Sequence, residues 1–185
     1  MRNCHMASID DYNDISTKNE YAVAIDAGCT VEEAMEACYE NSRDNARTPM
    51  QWDTSASAGF TTGEPWIKVN PNYQQINAAD QLKDPDSVFH YYQKLIRLRK
   101  EMDIIVYGEF EALYRDHDQI FAYIRKLGSE QLLTVCNFSA QEAEMELPET
   151  FAEGVQCLIT NMGRTAFDRK IVLNPYEAFV LYKKD

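Results

Sequence analysis

The pattern of apolar and polar positions changes character near Asp103: upstream the apolar residues recur at helical intervals, and downstream they alternate as in strands. Thr17 and Glu20 have capping-box spacing, Tyr21, Ala24 and Ile25 follow on one face, and Gly28 offers a left-handed stop, which predicts a first helix. Thr30 and Glu33 repeat the box. Val31, Ala34, Met35 and Cys38 then fall at i, i+3, i+4 and i+7, predicting a second helix whose stripe packs into a core. Asp84 as N-cap with Pro85 at the first helical position predicts a third. Its apolar face is Val88, Tyr91, Tyr92, Leu95 and Leu98, and Arg97, Arg99 and Lys100 complement the negative end of its dipole. Between the second and third helices, from Asn41 to Ala78, periodicity disappears into Arg, Asp, Asn, Pro, Gly, Trp and Gln. A loop of that length is usually functional or held against something else.

After Asp103 short strands are predicted over 104–107, 110–114, 120–125, 132–138, 143–147, 155–160, 170–173 and 178–182, with Gly128, Pro148, Gly154, Gly163 and Pro175 between them. Turn residues at intervals of about 8 to 12 are the signature of an antiparallel sandwich. Glu142, Glu144 and Glu146 alternate with Ala143, Met145 and Leu147, a solvated strand face rather than a metal site.

Composition narrows the picture further. With 185 residues, 45% hydrophobic and 26% charged, the chain is an ordinary globular protein of one domain, or of one small domain plus a piece of another, and neither disordered nor collagen-like. The net charge is −12, shared equally between residues 1–102 and 103–185, and such a surface repels phosphate, so neither nucleic acid nor anionic membrane is expected as a partner. No apolar run approaches the roughly 20 residues that span a bilayer, and the first residues lack the apolar core of a signal peptide, so a cytoplasmic protein is expected. Five cysteines without a CxxC pair argue against a disulfide framework or a zinc site, and no metal or cofactor is expected. Cys136 and Cys157 lie in apolar strand patterns and read as buried thiols.

The long loop holds the most specific signal. It contains Arg43-Asp44-Asn45-Ala46-Arg47-Thr48-Pro49-Met50-Gln51-Trp52-Asp53, then Ala58-Gly59-Phe60-Thr61-Thr62-Gly63-Glu64-Pro65-Trp66, then Val69-Asn70-Pro71-Asn72-Tyr73. These segments closely resemble the α-glucosidases of glycoside hydrolase family 13, of the oligo-1,6-glucosidase and dextran glucosidase type. The resemblance continues through the helix from Ser87 to Lys100, through Phe121-Ala122-Tyr123-Ile124-Arg125 and through Asn174-Pro175-Tyr176-Glu177-Ala178-Phe179, and so covers essentially the whole chain.

The resemblance implies an α+β chain. Residues 1–103 form the helical and loop segment that completes the C-terminal end of a (β/α)8 barrel, and residues 104–185 form a C-terminal antiparallel β-sandwich. It also implies a retaining hydrolase in which one aspartate attacks the anomeric carbon, a glutamic acid protonates the leaving oxygen and a second aspartate fixes the sugar hydroxyls. In the family these three stand at the ends of barrel strands four, five and seven. The chain is expected to begin after the eighth strand, so no catalytic residue is assigned and the chain alone is expected to be inactive. Arg47 matches the arginine that reaches the non-reducing-end glucose beside an aspartate from early in the barrel. A guanidinium with up to five fixed donors suits that task, the alternative being that Arg47 only holds the loop through backbone carbonyls. Arg43, Asp44 and Asn45 are expected to tie the loop together by local hydrogen bonds. Trp52 and Trp66 are expected to pack the loop onto the barrel, and Asp53 and Glu64 have no matched catalytic role. The implied partner is an α-glucoside oligosaccharide, bound together with the rest of the barrel. Trehalose-6-phosphate hydrolases share much the same loop, and a free-standing carbohydrate-binding sandwich is the competing reading from another class.

Overall fold

Asp14, not Thr17, starts the first helix, α1 (Ile15–Asp26). Its carboxylate accepts from the Thr17 amide at 3.3 Å and the Thr17 hydroxyl at 2.9 Å, so Thr17 is the third helical residue and the helix begins three positions earlier than its spacing to Glu20 suggested. Gly28 ends the helix at φ +93° as expected, its amide and that of Cys29 closing on the Ile25 and Ala24 carbonyls. In α2 (Val31–Asn41) the Thr30/Glu33 capping box is complete in both directions. Ala34 and Cys38 are buried, whereas Val31 at the helix start is exposed. Cys38 joins Cys4, Met6, Tyr12 and Ile67 in a small core against which Met35 packs, as the stripe predicted.

The computed structural model describes residues 2–184, and contacts within the chain group them into two compact units, one up to His90 and one from Tyr91 onward. In the first unit the long loop is a chain of tight turns, Arg43–Ala46, Ala56–Gly59 and Pro71–Gln74. It closes on itself where the Ala78 and Ala79 amides donate to the Gln51 and Trp52 carbonyls, both at 2.9 Å. Buried Gln51 braces the closure by donating to the Asn72 side chain and the Ile76 carbonyl at 2.8 and 2.6 Å. Gly59 sits at φ +67°, where an added Cβ would meet the Asp53 carboxylate at 2.8 Å.

A short helix that periodicity did not reveal, α3 (Ala78–Lys83), is capped by Asn77, and Asp84 terminates it. The Asp84 carboxylate then serves a turn by accepting from the Asp86 amide. The long helix α4 (Val88–Glu101) therefore starts at Ser87 rather than Asp84, the Ser87 hydroxyl accepting from the His90 amide at 3.4 Å. Of the expected apolar face of α4 only Tyr91 and Leu98, seven residues apart, are half-buried, and Val88, Tyr92 and Leu95 are exposed.

In the second unit residues 104–107 are not a strand but lie in a short helix, α5 (Asp103–Tyr107). The β-branched run Ile104-Ile105-Val106 carries strand propensity, but burial of Ile104 and closure of the Gly108 amide on the Ile104 carbonyl override it. The other predicted strands are present. They are β1 (Glu109–Leu113), β2 (Ile120–Leu127), β3 (Glu130–Asn137), β4 (Ala143–Glu146), β5 (Gln156–Thr160), β6 (Lys170–Leu173) and β7 (Ala178–Lys184). They form a five-stranded antiparallel sheet in the order β1-β2-β3-β7-β5 and a β4-β6 pair. Ile120, Ala122, Ile124, Leu133, Val135, Phe179 and Leu181 from the large sheet meet Ala143, Met145, Ile171 and Leu173 from the small one, with Phe151 completing the sandwich core. Glu144 and Glu146 face solvent between buried Ala143 and Met145. Cys136 and Cys157 are only half-buried, because Cys136 alternates with core residue Val135 and so faces away from it; the buried thiols are Cys4 and Cys38.

In the same unit Arg164, half-buried, pairs with buried Glu177. Glu177 accepts from Arg164 at 2.5 and 2.8 Å and from the Asn174 amide and side chain at 2.8 and 2.9 Å. Those Arg164 bonds hold the carboxyl below its usual range, against an opposing effect of burial. Among the described residues no helix is long and apolar enough to cross a membrane.

Candidate functional site

The segment from Ser42 to Arg47 is held by hydrogen bonds from several parts of the first unit. Asp44 is fully buried, and its Oδ2 accepts from the backbone amides of Asn13 and Asp14 at 2.6 and 2.9 Å. Asp14 is buried as well. Its Oδ2 caps α1 through Thr17 while its Oδ1 takes Arg43 Nη2 at 2.9 Å. The Ser42 hydroxyl donates to Thr17 Oγ1, whose own proton goes to Asp14, at 2.9 Å and accepts from the Asp44 amide at 3.2 Å. Asn45 accepts from the Cys4 amide at 3.3 Å and donates to the Tyr39 carbonyl at 2.8 Å. Arg43, Asp44 and Asn45 are ties, as the sequence suggested, but not only local ones. Several partners lie 29 to 41 residues away, so they fasten the loop to the N-terminal segment and to the start of α1.

Arg47 stands at the edge of this cluster. Its Nη1 lies 3.4 Å from Asp44 Oδ1 and 3.7 Å from Asp14 Oδ1, and its side chain remains 41% exposed. It is thus anchored by carboxylates rather than by backbone carbonyls, and Nε and Nη2 have no protein partner among the described residues. A rigid planar fork held at one nitrogen offers its remaining donors in a fixed direction. Burial alone would raise the Asp14 pKa, but hydrogen bonds from Thr17 and Arg43 outweigh it and hold the carboxyl below its ordinary value. Asp14 is therefore ionised at neutral pH and keeps both arginines paired. Sequence reasoning missed Asp14, although Asp14 and Thr17 stand at the spacing of an N-cap and its third residue.

Beside Asn13, whose side chain donates to the Trp66 carbonyl at 3.2 Å, lies an open cleft of about 720 Å³. Asp10, Asn13, Glu64, Trp66, Lys68 and Tyr73 line it. Trp52 and Trp66 are both exposed. Asp53 is engaged in a turn by the Ser55 amide and hydroxyl, and the hydroxyl bond chiefly lowers its pKa. Its carboxylate is a turn anchor rather than a proton donor. Burial pushes the Tyr12 hydroxyl up to about 12, and that hydroxyl has no hydrogen-bond partner. Among the described residues no three His, Cys, Asp or Glu side chains are grouped to hold a metal ion.

Comparison with known proteins adds a frame to this geometry. Residues 8–108 match the family "Alpha amylase, catalytic domain", and residues 110–180 match "Maltogenic Amylase, C-terminal domain". The oligo-1,6-glucosidase of Bacillus cereus is 46% identical over 187 residues, which takes in 100% of this chain and 34% of that protein. The trehalose-6-phosphate hydrolase of Bacillus subtilis is 39% identical over 97% of this chain and 33% of its own length. Among solved structures, trehalose-6-phosphate hydrolase from Bacillus licheniformis superposes with a TM-score of 0.92 at 38% identity, over 100% of this chain and 34% of that one. The chain spans about a third of the length of the relatives it matches.

Proposed function

The chain belongs to the α-amylase family of glycoside hydrolases, and from that premise we propose that it is the C-terminal portion of a retaining α-glucosidase that cleaves α-1,6-glucosidic bonds at the non-reducing end of isomaltooligosaccharides. Residues 1–103 complete the catalytic barrel on its substrate side, and residues 104–185 are the C-terminal sandwich. The nucleophile, the proton donor and the second aspartate come from the part of the enzyme outside this chain, and the chain alone does not hydrolyse glucosides. Such chemistry runs on carboxyl groups and needs no cofactor. Five cysteines, all free, suit a reducing compartment, which supports the cytoplasm as the site of action.

Arg47 carries this reading. Anchored at Nη1 by Asp44 and Asp14, it has a side chain 41% exposed and further donors that can take the hydroxyl oxygens of a glucose ring. Charge-assisted bonds of fixed direction orient the sugar so that its anomeric carbon meets the nucleophile.

The test fuses this chain to the first two-thirds of the Bacillus cereus relative and follows isomaltose cleavage. Arg47→Ala is expected to lower kcat/KM by about 100-fold, on the order of 2.7 kcal/mol. Arg47→Lys is expected to recover little, because an ammonium lacks the planar fork. Equal rates for the three proteins would overturn the assignment. The likeness to trehalose-6-phosphate hydrolases supports a second reading, and faster cleavage of trehalose 6-phosphate than of isomaltose by the same fusion would establish it instead.

A further inference from the structure

We propose that the cleft beside Asn13 binds a glucose residue of an α-glucan, which stacks on the indole of Trp66 and is held at its rim by Asp10, Glu64 and Lys68; the choice of sugar rests on the functional reading above. Trp66 is 61% exposed, yet the chain that carries it is firmly fixed. Its carbonyl accepts from the Asn13 side chain at 3.2 Å, and the next residue, Ile67, is buried in the small core with Cys4, Met6 and Tyr12. Lys68 Nζ donates to the His5 carbonyl at 3.0 Å, and the Asn70 side chain donates to the Arg2 and Asn3 carbonyls at 2.9 and 3.1 Å. The other lining segment, 10–13, is fixed as well. Asp11 Oδ2 accepts from the Ala7 and Ser8 amides at 3.0 and 3.1 Å, and the Asn13 amide donates to Asp44, the carboxylate that also holds Arg47.

The two segments thus present a preformed cleft, and little ordering is needed when a ligand enters it. Its chemistry is mixed in the manner of a sugar. A pyranose has an apolar C–H face that lies against an aromatic ring, and a rim of hydroxyls that needs a few well-placed polar groups. Here the exposed indole supplies the first surface. The Asp10 and Glu64 carboxylates, which have no partner among the described residues, can accept from hydroxyls, and an ionised acceptor strengthens such bonds. Lys68 uses one of its protons on His5 and keeps two to donate. Asp10, Asp11 and Glu64 stand against Lys68 alone among the charged lining residues. That balance disfavours a phosphate or a nucleotide and leaves a neutral polyhydroxyl ligand as the fit.

The test titrates isomaltotriose into the full chain by calorimetry. Saturable binding is expected, and in a Trp52→Phe chain, where Trp66 is the sole indole, it should shift the tryptophan emission. Trp66→Ala should weaken binding about tenfold or more, with circular dichroism unchanged because the ring is exposed, and Trp66→Phe should recover part of the loss. Glu64→Ala should weaken it about fivefold. Trp52→Phe, outside the cleft, should leave the affinity intact. No saturable binding, an affinity indifferent to Trp66→Ala, or glucose 6-phosphate bound more tightly than glucose would each overturn the proposal. A chain that binds isomaltotriose through Trp66, but whose fusion to the first two-thirds of the Bacillus cereus relative leaves isomaltose intact, would keep the site and count against the functional reading. A fusion that cleaves isomaltose while Trp66→Ala changes no affinity would do the reverse.

Discussion

The unit up to His90 and the unit from Tyr91 onward are stabilised by different chemistry. In the second, thirteen buried apolar residues form one continuous cluster, and Asn137 and Glu177 are the buried polar residues recorded there. In the first, the main cluster has five buried members, while Asp14, Thr17, Ser42, Asp44, Thr48, Gln51, Asn70, Asn77 and Ser87 are buried and polar. Apolar burial is non-directional and tolerates small displacements. A buried polar net contributes only when its partners are all in place, and each orphaned group is costly. Among the described residues Tyr12, Thr48 and Gln51 each retain a buried polar atom without a partner, whereas the second unit has one such atom, Arg125 Nε. The first unit is thus held by a directional polar net around a small apolar cluster, as its proposed place in a larger catalytic domain would require.

The sharpest way to break the contrast is in the sandwich. Phe179→Ala removes a fully buried ring at the centre of the core and should cost about 3 to 5 kcal/mol, visible as a large drop in the melting temperature of the sheet. In the first unit the comparable change is polar: Asp44→Ala orphans the Asn13 and Asp14 amides and loosens Arg47. A loss of about 1 to 3 kcal/mol is expected for such unsatisfied donors, read as faster amide exchange at the start of α1, and Asp44→Asn should restore part of it.

The smallest effect is pH. The Glu177 and Asp14 carboxyls both titrate below their ordinary values of 4.5 and 3.8. Their contributions are therefore complete above those values and are lost as the pH falls through the lower, folded-state values. Urea denaturation from pH 7 to pH 3 should show stability constant down to about pH 5 and falling below it. Glu177→Gln should flatten that fall in the sandwich alone, while a decline beginning above pH 6 would contradict the assignment.

Much of this was legible in the chain. Strand alternation located β2, β3, β4, β6 and β7 because each buries alternate residues in one core, and the Thr30/Glu33 box located the start of α2 because both residues bond only to each other's neighbourhood. Residues 104–107 misled because their β-branched run is decided by burial of Ile104, a tertiary fact. The start of α4 misled because Asp84 and Ser87 are both competent caps, and the Asp84 carboxylate is taken by a turn. At the candidate site the loop and Arg47 were visible as a motif. Of its two anchors Asp44 lay inside that motif, but Asp14 was missed, since it is separated from Arg47 by more than thirty residues and only the fold brings them together.

Amide hydrogen exchange on the isolated chain tests the central contrast most directly. Slow exchange is expected in β2, β3 and β7, near the limit set by global unfolding, with exchange faster by several orders of magnitude through the loop from Arg43 to Asn77 and in α1 and α2. Equal protection of the two units in a monomer would contradict the view that the first belongs to a larger domain.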